Sequence, residues 1–220
     1  MQQRFRSGGL AAWSISHPIG VTMLALSVVV LGLGSLERLG INLLPDIIYP
    51  EVRVRINDPG VGMTIWERNV PSKMKDWLDA LTWDDLPDDR VLIAPDEAAA
   101  AVAAMLARSG APEHLGADMF IADAAETVSR FAEIADCELV DVRVDAIRHD
   151  ACWRFHRDFV PLRLITTYLG PGTEYVGRAD SERAVQTQKN FDGAVYRVPR
   201  FAVSVFTGSQ NAEDAGVVHR

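Results

Sequence analysis

Cysteine is scarce in this chain, and charge is missing over one long stretch. Only Cys137 and Cys152 occur in 220 residues. That leaves one bridge at most, no disulfide framework and no Cys-x-x-Cys zinc pair, and free thiols in a reducing compartment are the simpler reading. Basic tracts are absent as well, and the formal charge is -8. A general nucleic-acid binder needs clustered Lys and Arg to neutralise phosphates, so nucleic acid is excluded as a partner class. Between Arg6 and Glu37 there is no Lys, Arg, Asp or Glu. At 1.5 Å per residue, residues 15–36 can cross a hydrocarbon core of about 30 Å. Gly20, Gly32 and Gly34 suit a membrane helix that packs against other membrane helices. Arg4 and Arg6 precede the run, whereas Glu37 and Arg38 cancel beyond it, which favours a cytoplasmic N-terminus and a single pass. A signal peptide is the rival reading, but no Ala-x-Ala site follows.

The rest of the chain reads as α+β, helices first and an antiparallel sheet after. Residues 51–57 alternate as a half-buried strand, and Asp58-Pro59-Gly60 marks a turn. Beyond it Trp77, Leu78 and Leu81 share a helical face, and Pro87-Asp88-Asp89 breaks the pattern. Asp96 is placed to cap a helix over 97–109, stopped by Gly110 and Pro112. A helix over 115–136 puts Phe120, Ala124, Val128 and Phe131 on one stripe. From Cys137 the period becomes two, and strands are expected at 140–146, 162–169, 174–176, 194–198, 201–206 and 215–218.

Metal-capable side chains crowd in one place, Cys152-Trp153-Arg154-Phe155-His156-Arg157-Asp158. On an extended strand His156 and Asp158 point the same way, and so would Cys152 if the strand ran straight through. His219 is the available third ligand. Two imidazoles and a carboxylate form the facial set that suits iron(II) and leaves positions open; Cys152, with His156 and Asp158 or His149, would favour zinc instead. Arg163 and Arg220 are the candidates to hold a carboxylate bidentately. A histidine packed and hydrogen-bonded on a half-buried strand is the plainer alternative.

Three resemblances add to this. Trp13-Ser14-Ile15, His17-Pro18-Ile19-Gly20 and Leu43-Leu44-Pro45-Asp46 make residues 10–62 resemble the N-terminus of resistance-nodulation-division efflux permeases. That likeness implies a first membrane helix and a first porter-type strand in a bacterial inner membrane. It also implies that residues 1–63 are a permease-like piece, not transport-competent alone, joined to something else. Ile65-Trp66-Glu67-Arg68, the stretch from Cys152 to Asp158, Tyr168-Leu169-Gly170-Pro171-Gly172-Thr173-Glu174 and Val218-His219-Arg220 make residues 64–220 resemble the DUF1826 family. That family brings no established activity, and the resemblance implies a further strand after His219-Arg220. The order of His-x-Asp, an Arg-Leu-Thr-rich strand and a glycine turn resembles iron(II)/2-oxoglutarate oxygenases, which implies a double-stranded β-helix. The function expected is therefore a membrane-anchored fusion with a metal site, Fe(II) or Zn. An oxygenase-like enzyme and a zinc-handling domain without turnover are the alternatives, and the second domain on the cytoplasmic side is the alternative location.

Overall fold

The computed structural model describes residues 17–38, 56, 58, 60–147, 152–210 and 216–220. The chain divides into two compact units, Met1–Asp46 and Ile47–Arg220. The first contains helix α1, Pro18–Arg38, opened by a proline whose missing N–H costs nothing at a helix start. The hydroxyls of Thr22 and Ser27 are satisfied within the helix, by the carbonyls of Pro18 and Met23 respectively, each at 2.8 Å. Its large apolar side chains are exposed, among them Met23, Val28 and Leu31. Among the described residues no helix is long and apolar enough to cross a membrane. Arg4, Arg6 and most of the expected strand at 51–57 lie outside the described residues.

The second unit is α+β with antiparallel sheets. Strand β1 (Met63–Trp66) leads into α2 (Ser72–Ala80), β2 (Asp89–Ile93), α3 (Ala98–Ser109), α4 (Leu115–Ala135) and β3 (Val140–Val144). There follow β4 (Leu162–Thr166), β5 (Glu174–Val176), α5 (Ser181–Thr187), β6 (Val195–Arg197) and β7 (Val203–Thr207). Three sheets result among the described residues: β1-β7-β4, β2-β3 and β5-β6. Helix α4 is the hub, with α2 and α3 both packed on it. Gly116 is required there, because a Cβ would lie 2.3 Å from Trp77 Cβ. The β2-β3 ribbon closes a cluster of Ile93, Ala98, Ala132, Val140 and Val142.

Sheet β1-β7-β4 is covered on both faces, as the burial of every residue of β7 shows. Val203 and Val205 cluster with Trp66 and Ile56 and with Phe131 and Ile134 of α4. Alternation then turns Ser204 and Phe206 to the other face, where Phe206 pairs across the ladder with Arg163 of β4. That second face meets the functional cluster.

Several expectations change. Residues 152–158 do not form a regular strand; His156 stands in an isolated antiparallel bridge. Asp96 does not cap α3: the preceding turn places Glu97 at the N-cap, and its carboxylate accepts from the Ala94 N–H at 3.1 Å. Strand β2 begins at Asp89, where the helix break leads directly into pairing with β3: Arg90 stands opposite Arg143, and its guanidinium reaches diagonally to Asp141. Helix α5 has no clear apolar stripe to announce it.

Candidate metal centre

The β5-β6 ribbon is the outer half of a wider ladder. Tyr175 of β5 pairs with Tyr196 of β6 on one side and bridges His219 on the other, and His219 in turn bridges His156. His156 and His219 exchange both backbone hydrogen bonds at 3.0 Å, and Glu174 and Arg220 do the same at 2.9 and 2.8 Å. The order across the ladder is therefore 196, 175, 219, 156. Beyond it the amide of Gln188 closes the edge, accepting from the Phe155 N–H at 2.9 Å and donating to the Phe155 carbonyl at 3.0 Å.

Facing partners in an antiparallel ladder share a face. One face buries Phe155, Val218 and Val176 against Ala184 of α5. The opposite face carries His156, His219, Tyr175 and Tyr196 in a row. Two histidines 63 positions apart are thus direct cross-strand neighbours, with ring centroids 4.5 Å apart. The His219 ring also lies 4.7 Å from that of Phe206, so this row faces the second face of β7 and β4.

Asp158 enters from the loop between His156 and β4. Ser209 holds its carbonyl, by N–H at 2.8 Å and by hydroxyl at 3.1 Å. Gly208 permits the approach, since a Cβ there would lie 2.0 Å from the Val160 carbonyl oxygen. His156, Asp158 and His219 each offer a ligand atom, and all three atoms lie within 4.8 Å of one another. Asp158 Oδ1 is 3.6 Å from His156 Nε2, and Oδ2 is 3.3 Å from His219 Nε2. A cation about 2.1 Å from each ligand needs ligand pairs about 3 to 3.5 Å apart, so a small inward movement suffices.

Hydrogen bonding selects the ring nitrogens. His156 Nδ1 lies 2.8 Å from the Arg154 carbonyl and His219 Nδ1 lies 3.2 Å from the Val217 carbonyl. A carbonyl only accepts, so each Nδ1 carries a proton; a neutral ring then turns an Nε2 lone pair towards Asp158, and a protonated ring an Nε2–H donor. Lone pairs facing a carboxylate repel; a cation or an added proton resolves the conflict. Asp158 Oδ2 is buried and accepts no well-directed hydrogen bond, although Arg163 Nε stands 2.9 Å away. Burial pushes the Asp158 carboxyl up, but His156, His219 and Arg163 outweigh it and hold it well below the usual carboxylate range. Asp158 in turn raises the His156 imidazole, against the opposing effect of burial.

The remaining candidates separate. Arg163 of β4 is at the cluster through Asp158. Arg220 is not brought there: its Nε donates to Glu174 at 2.7 Å and its guanidinium covers the Phe155 ring, on the face away from the histidines. Cys152 is exposed and stands outside the group of three. His149 lies outside the described residues. Spacing alone gives no sign of a second polar centre, Arg68-Asp123-Tyr168, which is buried between α4 and the sheet. Arg68 pairs with Asp123 and donates to the Phe201 carbonyl at 2.6 Å, while the Tyr168 hydroxyl donates to Asp123 at 2.6 Å. Its members are 55 and 45 positions apart, beyond any local pattern. Asp123 on the buried stripe of α4 is the one residue that could have signalled it.

An α+β domain with two histidines and a carboxylate converging from a β-ladder and its flanking loop is the class that fold and site define. The chain belongs to the family described as protein of unknown function DUF1826, whose model matches residues 49–220. Residues 10–82 are similar to the AcrB/AcrD/AcrF family, so an efflux-permease-type segment is joined to the DUF1826 domain. Both matches include residues 49–82. No curated protein and no solved structure matches the chain.

Proposed function

We propose that the DUF1826 domain of this chain holds one divalent metal ion through His156 Nε2, His219 Nε2 and Asp158. The observation that carries this reading is the convergence at Asp158: its buried Oδ2, with no well-directed hydrogen bond and the Arg163 Nε at 2.9 Å beside it, is faced by two imidazoles whose other nitrogens are fixed as donors. Backbone carbonyls that orient metal-binding histidines are the usual outer support of such sites. With Cys152 outside the group, the donor set is two nitrogens and one carboxylate. That set suits iron(II), accommodates zinc, and leaves coordination positions open for a further ligand. The oxygenase-like reading draws its support from those open positions and from Arg163 beside them. A metal-handling domain without turnover needs only the three ligands.

The N-terminal segment is proposed as the anchor. Its support is the uncharged run over residues 15–36 and the exposed apolar side chains of α1, which suit contact with lipid or with other membrane helices. With Arg4 and Arg6 on the cytoplasmic side, a single pass would place the second unit across the inner membrane.

The decisive experiment is metal analysis of anaerobically purified protein. Wild type is expected to carry close to one equivalent, and His156→Ala and Asp158→Ala each to lower retained metal at least tenfold, since affinity depends strongly on ligand number. If His156 is a packing residue only, wild type will be metal-free and His156→Ala will lower the thermal midpoint alone.

A further inference from the structure

The backbone that carries His156 is held from its outer edge by one side chain. Gln188 follows α5 directly, and its own N–H ends that helix on the Ala184 carbonyl. Its amide spans Phe155: Oε1 accepts from the Phe155 N–H at 2.9 Å, and Nε2 donates to the Phe155 carbonyl at 3.0 Å and to the Val185 carbonyl at 2.7 Å. Both hydrogens of the amide are thereby used.

A peptide unit is planar, so these bonds fix more than Phe155 itself. The unit joining Arg154 to Phe155 contains the N–H that Gln188 accepts from. On its other side it presents the Arg154 carbonyl, which receives the Nδ1 proton of His156 at 2.8 Å. The unit joining Phe155 to His156 contains the carbonyl that Gln188 donates to. It also contains the His156 N–H, which pairs with the His219 carbonyl at 3.0 Å. One amide therefore sets both planes, and with them the carbonyl that aims His156 Nε2 at Asp158.

The conformation of Gln188 runs against its identity. Its φ is 53° and its ψ -115°, the angles of the first central residue of a type II′ turn, where glycine is the usual occupant because a Cβ is strained there. Glycine would relieve the strain but leave Phe155 without its partner. Strain of this kind persists where surrounding contacts over-determine it, and it gathers at binding sites.

Resting on the metal site proposed above, we infer that Gln188 is a positioning residue for the metal ligand His156, acting through the Arg154 carbonyl. None of its hydrogen bonds reaches a ligand side chain. A residue that served the fold alone would give a different result, because metal affinity would then follow stability.

The test compares Gln188→Ala with Gln188→Gly in the full chain in detergent, stripped by chelation and titrated with cobalt(II), whose visible absorption reports binding. Both variants lose the amide, but only glycine loses the strain, so the metal-free thermal midpoint should be higher for Gln188→Gly than for Gln188→Ala. Cobalt affinity is expected to fall about tenfold in both alike, the lower end of what loss of a ligand's support costs. In a His156→Ala background Gln188→Gly should lower affinity no further, since the ligand it positions is gone. Should Gln188→Ala fold poorly, Gln188→Gly with and without His156 carries the comparison. Wild-type affinity in the variants, or affinity that recovers together with the midpoint in Gln188→Gly, overturns the positioning role. An undiminished loss in the His156→Ala background does the same. Each of these results leaves the metal site standing, whereas a wild type that binds no cobalt removes the site and this inference with it.

Discussion

Asp123 and Tyr168 show how much a single buried charge can decide. The Arg68-Asp123 pair is almost wholly inaccessible, with side chains 2% exposed on both sides, and removing one partner of such a pair leaves an uncompensated charge. Asp123→Ala is therefore expected to cost about 3–5 kcal/mol of unfolding free energy by denaturant titration. An exposed pair such as Arg90-Asp141 should change it by less than about 1 kcal/mol. Burial first, and the Asp123 carboxylate second, push the Tyr168 phenol well above its ordinary value. The folded chain thus holds this proton more tightly than the unfolded chain. The corresponding stability is intact below about pH 10, the ordinary phenol value, and is lost as pH rises beyond it. Unfolding free energies measured from pH 8 to 11 should show this added downward slope in wild type and lack it in Tyr168→Phe. Parallel slopes would show that Tyr168 ionises in the folded chain as readily as in the unfolded one.

Elements announced by periodicity are largely where the pattern puts them. Helix α4 and strand β5 follow the expected ranges closely, because an apolar stripe and a period of two are local properties. The alternation argument puts His156 and Asp158 on one side of a strand; their side chains do approach, Oδ1 to Nε2 at 3.6 Å, but the supporting backbone is a bridge and a loop. What local pattern does not contain is register. Nothing near His219 states that it will sit opposite His156, or that Gln188 will act as a substitute strand for Phe155. Cys152, in phase with His156 on an ideal strand, leaves the group because the chain turns before Phe155. The loop that delivers Asp158 depends equally on a distant residue, Gly208. Gly208→Ala would force its Cβ against the carbonyls of Val160 and Asp158, at 2.0 and 2.9 Å. Metal affinity is expected to fall about 10- to 100-fold, the usual consequence of disturbing the support of a ligand, measured by competition with a chromophoric chelator. Unaltered affinity would mean that the loop reaches its position without this close approach.

At the scale of the whole molecule the two units ask for different surroundings. The second encloses its own clusters, Ile56 included, whereas the described apolar side chains of α1 are exposed. A chain beginning at Ile47 is expected to remain in solution without detergent and the full chain to sediment with membranes, as fractionation and immunodetection would show. A full chain recovered in the soluble fraction would remove the anchor. The bridge between His156 and His219 carries one more implication. A cation held by both would act as a crosslink between points 63 residues apart, closing a loop whose freedom in the unfolded ensemble is worth about 4 kcal/mol on the chain-entropy model of such links. Loss of the ion would then loosen β5, β6 and α5 together, since all of them lie within that loop. The state of the metal would become readable as the susceptibility of this whole segment to proteolysis.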